Sequence, residues 1–174
     1  MRLPEIHWSF SCHCHVVIFK IQMKFSLESI KISIAGAKLS HLVQKDKIWD
    51  HGSMTEQARI IFYLVQKTKS NGNIESLKKY MTISCFEKLQ KQVDEFEEHD
   101  MSWQTENPVI TELAVISVQP GKNNRPDMFT ALIKGHSRRA GQEQHGNADH
   151  SDKFSTEWSF VRQGEWWMLY EIRS

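Results

Sequence analysis

Between Phe154 and Arg162 apolar and polar positions alternate with period two. Phe154, Thr156, Trp158 and Phe160 fall on one face, and Ser155, Glu157 and Ser159 on the other. This is the pattern of a half-buried strand. A polar turn at Gln163-Gly164 and a second aromatic-rich run from Trp166 to Ile172 complete a terminal hairpin. Upstream, Pro108 to Val118 is rich in β-branched residues and is stopped by Gln119-Pro120-Gly121, which predicts a strand. Met128 to Lys134 reads as its hairpin partner across the polar loop Lys122 to Pro126. His136 to Asp152 has no apolar period and is expected to be an exposed loop.

The cover for such a sheet comes earlier in the chain, where the period changes to that of amphipathic helices. Ser53-Met-Thr-Glu56 has capping-box spacing, and Ala58, Ile61, Phe62 and Val65 then recur at i, i+3, i+4 and i+7. Asn73 is placed to cap a short second helix that buries Ile74, Leu77 and Met81. Ser84 and Glu87 box a third helix, with Phe86, Leu89, Val93 and Phe96 on its apolar side. Helices followed by strands predict an α+β fold, with helices packed in a curved antiparallel sheet. The first 48 residues are less legible. Leu27, Ile30 and Ile34 have helical spacing, whereas Ile30, Ile32 and Ile34 have strand spacing, so both stay open; Met23 is a second possible initiator.

Several of these runs together resemble the Tim44-like family, a branch of the cone-shaped NTF2-like fold. The carriers are Trp49-Asp50, Ile61-Phe62 with Gln66, Tyr80-Met81-Thr82, the run Phe129 to Gly135, and the closing pattern of Phe154, Trp158, Phe160, Arg162, Trp167, Leu169 and Ile172. The resemblance runs from about Trp49 to Ile172, which divides the chain into an extension, 1–48, and a Tim44-like domain, 49–174. One departure is Thr156, where the family commonly has an acidic residue; Glu157 follows on the opposite face. The resemblance implies a non-catalytic module that attaches to membrane surfaces and to proteins. A compact chain of this kind fits a stand-alone bacterial member.

Composition narrows the partners. A net charge of +1 gives no global reason to expect nucleic acid. Cys12, Cys14 and Cys85 are an odd number without disulfide-framework spacing, which favours a reducing compartment and the cytoplasmic side. No apolar run is long enough to span a bilayer. Val16 to Phe19, flanked by histidine and cut by Lys20, makes a poor signal peptide.

Candidate chemistry is sparse. Cys12-His13-Cys14-His15 supplies good zinc ligands, but contiguous residues do not wrap one tetrahedral ion, so no metal is expected. His136, His145 and His150 have no recognised ligand spacing, and no cofactor is expected. An enzyme of this fold needs an acid or base inside the cone, for which His136, Glu157, Tyr170 and Glu171 are the candidates. Phe62, Phe129, Trp158, Phe160 and Trp167 are candidates to line an apolar ligand pocket, although aromatic stripes at strand spacing are more often core.

The expected partner is therefore membrane lipid or a protein. The segment Lys20 to Lys47 carries Lys20, Lys24, Lys31, Lys38, Lys45 and Lys47 among apolar residues, and Lys20, Lys24, Lys31 and Lys38 are the membrane-contact candidates. Two copies are expected to pair through the sheet. The alternatives are a soluble carrier of a small apolar ligand and, below it, a small isomerase or dehydratase of the same fold.

Overall fold

A computed structural model describes residues 13–71, 74–98, 105–139 and 152–173. The side chains of residues 13–26 and 96–98 fall outside this description, as do those of residues 69–71, 105–107 and 138–139. Helix α1 spans His13–Leu42, α2 spans His51–Asn71 and α3 spans Ile83–Glu98. Strands β1 (Thr105–Gln119), β2 (Met128–Arg139), β3 (Asp152–Gln163) and β4 (Trp166–Arg173) follow. All neighbours pair antiparallel in the order β1-β2-β3-β4. The fold is α+β, as the switch of period predicts.

Helix α2 forms where its apolar positions repeat, and Ala58, Ile61, Phe62 and Val65 are all buried. Its start differs from the expected box at Ser53. Asp50 stands just ahead of the helix, and the backbone N–H and the Oγ–H of Ser53 both donate to Asp50 Oδ1 at 2.8 Å. Those bonds hold the Asp50 carboxyl below its usual pKa. The expected second helix reduces to a 3-10 turn at Glu75–Leu77, yet Ile74, Leu77 and Met81 are buried as the pattern required. Its proposed cap, Asn73, lies outside the described residues. Phe86, Leu89 and Val93 of α3 are buried, with the Cys85 N–H directed at Thr82 Oγ1. Phe96 is beyond the described side chains.

The inner face of the sheet meets α2 and α3 through Val115, Val118, Phe129, Ala131, Ile133, Trp158, Phe160, Trp167 and Leu169. Three register shifts along β1 bend that edge strand around the helices. The opposite edge, β4, is met by the chain leaving the 3-10 turn. Leu169 N–H donates to Tyr80 O at 2.8 Å and Thr82 N–H to Leu169 O at 2.9 Å, so part of that edge is already paired.

The undecided N-terminal segment is helix. Ala35 and Leu39 of α1 join the core, and α1 lies against β1. Glu28 reaches the outer face of the sheet, where it accepts a hydrogen bond from Lys134 Nζ at 2.5 Å; Glu112 stands 3.3 Å from the same ammonium. These carboxylates raise the Lys134 pKa, Glu28 most of all. No helix among the described residues is long and apolar enough to cross a membrane.

Strand β2 runs on to Arg139, past the end expected at Lys134, because β1 and β3 both hold it: Thr105 pairs with Arg139 and Asp152 with Ser137. The expected loop from His136 therefore begins later, and His145 and His150 lie outside the described residues.

Cys85 is 5% exposed, and desolvation pushes its thiol up to about 11. At pH 8 this thiol is expected to stay unmodified by iodoacetamide in the folded protein and to label fully in urea, with peptide mapping separating it from Cys12 and Cys14. Labelling of Cys85 at the rate of a free thiol without denaturant would contradict the packing of α3.

Candidate functional site

The five aromatic candidates come together, and they come together as core. Phe129 stacks on Phe160 with centroids 4.6 Å apart, and meets Trp167 edge-on at 4.9 Å. Phe62 of α2 lies 5.4 Å from Trp158 and 5.6 Å from Phe154. All five candidates are at most 2% exposed. Their polar handles are satisfied internally: Trp158 Nε1 donates to Thr156 Oγ1 at 3.1 Å, and Trp167 Nε1 donates to Ile48 O at 3.1 Å. The rings fill the space between helices and sheet by contacting one another.

Thr156 explains the departure at the position that is commonly acidic. Its hydroxyl accepts from the Trp158 indole and donates to Arg173 O at 2.7 Å, tying β3 to the end of β4. Glu157 points the other way.

On the outer face, Glu157, Tyr170 and Glu171 do share a site. They line a groove of about 490 Å³ with Ser117, Thr130, Ser159 and Arg173, and Lys31 of α1 forms one wall. Arg173 is paired with Glu171, its Nε donating at 2.8 Å, which raises the Arg173 pKa. His136, on β2 beyond Lys134, does not line this groove. The acid and base candidates thus sit outside the cone, away from the apolar interior. Among the described residues no group of three or more His, Cys, Asp or Glu side chains is placed to hold a metal. Cys12 lies outside the described residues, as do the side chains of His13, Cys14 and His15.

A second cavity, about 550 Å³, opens at the end of the sheet between the β1–β2 loop and the β3–β4 turn. Arg162 closes its base. Its Nη1 donates to Asp46 Oδ2 at 2.5 Å and to Asp127 Oδ2 at 3.1 Å, and its Nε donates to Gly164 O at 2.8 Å. One guanidinium joins the loop after α1 to both hairpin ends, and the two carboxylates raise its pKa, Asp46 first. With its donors so occupied, Arg162 is a clasp between elements.

Among the described residues, the outward side of α1 carries three exposed large apolar side chains in one row. Leu27, Ile30 and Ile34 are 62%, 49% and 52% exposed. Lys31 and Lys38 are exposed beside them. The two other lysine candidates, Lys20 and Lys24, lie earlier on α1, with side chains outside the described residues. The helical spacing of Leu27, Ile30 and Ile34 was visible in the sequence; that it faces water was not, because a helix with a core side normally turns such a set inward.

Residues 35–174 match the Tim44-like domain family. The chain belongs to the Tim44-like family. Tim44-like domains are in general membrane-associated or protein-interacting domains. The match begins at Ala35, inside α1 and just after Leu27, Ile30 and Ile34. Among solved structures, this Tim44-like chain is similar to the intermembrane space region of the chloroplast protein ARC6. The identity is 16%, covering 68% of this chain and 93% of that one, with a TM-score of 0.44. No curated protein matches the chain.

Proposed function

We propose that this protein is a non-catalytic binding module that attaches, peripherally and on the cytoplasmic side, to a negatively charged surface through the outward side of α1. The observation that carries this reading is the apolar row Leu27, Ile30 and Ile34 lying exposed beside Lys31 and Lys38. Exposed apolar residues in register on one helix are a docking feature, and adjacent ammonium groups select for anions. In this reading residues 1–48 carry the attachment and 49–174 form the scaffold, with Ala35 and Leu39 rooting the helix in the core. Anionic lipid offers such a surface, and so does a protein rich in carboxylates.

The test is cosedimentation of the full chain with neutral and with anionic vesicles at low and high salt, beside titration with an acidic amphipathic peptide. The control is the triple variant Leu27→Ser, Ile30→Ser, Ile34→Ser. Binding to at least one anionic probe is expected, weakened several-fold by salt and by the variant. Failure with both probes, or equal binding by the variant, overturns the reading.

A further inference from the structure

The spacing on the outward side of α1 is finer than attachment alone requires. Leu27, Ile30, Ile34 and Ala37 follow one another at steps of three, four and three, all on exposed positions. Among the described side chains of α1, which begin at Leu27, these are the first and fourth places of two successive heptads, a row one residue wide that spans roughly 15 Å at 1.5 Å per residue. His41, the next place in the register, is exposed and polar and ends the row. On one flank, Lys31 and Lys38 occupy the same heptad place seven residues apart; on the other stand Ser33 and Ser40. Lys31 also borders the outer groove that Glu157 and Glu171 line, yet no ion pair engages Lys31 or Lys38 among the described residues; Glu28, three residues before Lys31, is taken by Lys134.

We propose that this row is a helix-docking seam and that its occupant is an amphipathic helix of a partner protein bearing carboxylates beside its own apolar row. This rests on the reading of α1 as the attachment surface, and it names the partner. The narrowness of the row among the described side chains favours a helix: an interfacial helix that sinks into lipid presents a broad apolar face, whereas the row from Leu27 to Ala37, confined to two places of the heptad, fits the knobs of one opposing helix. Charge selects among helices. A second copy running parallel sets each lysine against serine, and one running antiparallel sets lysine against lysine, so self-pairing gains nothing from the charged flank. A partner with glutamate at the facing place pairs with both Lys31 and Lys38. Leu27, Ile30, Lys31 and Ile34 precede residue 35, where the family match starts, so most of the seam lies outside what that match covers, with Ala37 and Lys38 inside it.

The experiment uses the full chain and two synthetic helical peptides with Leu at the apolar heptad places. One carries Glu and the other Lys at the flanking places, and binding is followed by fluorescence anisotropy. The acidic peptide is expected to bind and the basic one not. Ile30→Asp is expected to weaken acidic-peptide binding at least about tenfold, and Lys31→Glu with Lys38→Glu is expected to reverse the preference. Circular dichroism confirms that these exposed positions leave the fold intact. Equal binding of the two peptides, or a preference unchanged by charge reversal, overturns the proposal. So does a dimer in sedimentation equilibrium that Ile30→Asp dissolves, which assigns the seam to a second copy. Binding of anionic vesicles without the acidic peptide overturns the helix partner while leaving attachment through α1 standing. Binding of neither overturns both.

Discussion

Trp158→Ala is expected to cost about 4 kcal/mol of folding stability, read from the urea midpoint at unchanged slope. Trp158 is 2% exposed, faces the Phe62 ring at 5.4 Å, and stands opposite Ala131 across the β2–β3 pair. Ala131 is too small to move into the space an alanine would leave, so the cavity persists and its cost adds to the lost burial. The indole N–H also leaves Thr156 Oγ1 without its donor. Trp166, 66% exposed in the same hairpin, supplies the comparison, because Trp166→Ala is expected to stay within about 0.5 kcal/mol of the parent. Should both substitutions cost the same small amount, the rings around Trp158 are not a packed core, and a ligand-lined pocket becomes the better account.

Strand alternation placed Trp158 on a definite face of β3, but it did not set Trp166 apart from Trp167 in the terminal hairpin. Trp158 shares a face with Phe160, and both are buried. The same rule identified the inner sides of α2 and α3, because a helix covering a sheet has one way to turn its apolar positions. The rule works where a segment has one buried face and a strong period.

It falters where two local signals compete. Asp50 and Ser53 are both good helix caps three residues apart, and the sequence offers no reason to prefer the carboxylate; the structure shows Ser53 donating to it. Pro108 made β1 seem to begin there, yet the strand starts at Thr105. A register shift between Glu106 and Val109 leaves the proline out of the ladder, as an edge strand permits. The polar end of β2 has no apolar period at all, and its two neighbouring strands impose its conformation. That is tertiary information which local pattern does not contain.

The candidate site was legible in parts. The lysines of the N-terminal segment and the spacing of Leu27, Ile30 and Ile34 were plain as residues. Their meaning depended on which side of α1 the core takes. Ala35 and Leu39 fix that choice, turning Leu27, Ile30 and Ile34 into an exposed row and leaving Lys31 and Lys38 on its flank. Spacing alone gave the helix a face without saying whether the face was inside. The outer groove illustrates the same limit, since Glu157, Tyr170 and Glu171 are adjacent only because β3 and β4 pair with Tyr170 as the extra residue between Leu169 and Glu171.

Gly135→Ala is expected to destabilise the fold by about 3 kcal/mol, at the upper end of what an added methyl costs in a packed interior. An alanine Cβ at this position would lie 2.1 Å from Val109 O and 2.5 Å from Phe154 Cζ. The Phe154 ring has room to turn, since it is only partly buried, but the Val109 carbonyl belongs to the backbone of β1. Relief therefore requires β1 and β2 to part where Val109 pairs with His136 and Ile110 with Gly135, beside two of the register shifts that curve the sheet. Gly36→Ala is the internal control: nothing lies within 4 Å of its Cβ, and replacing a glycine inside a helix is expected to stabilise by about 0.5–1 kcal/mol. Opposite signs for one chemical change, in one urea titration series, would show that Gly135 is held by the approach of β1. If Gly135→Ala unfolds at the parent's midpoint, the two strands are not packed as closely as the register requires, and the curvature that seats Phe62 of α2 against Trp158 needs another origin.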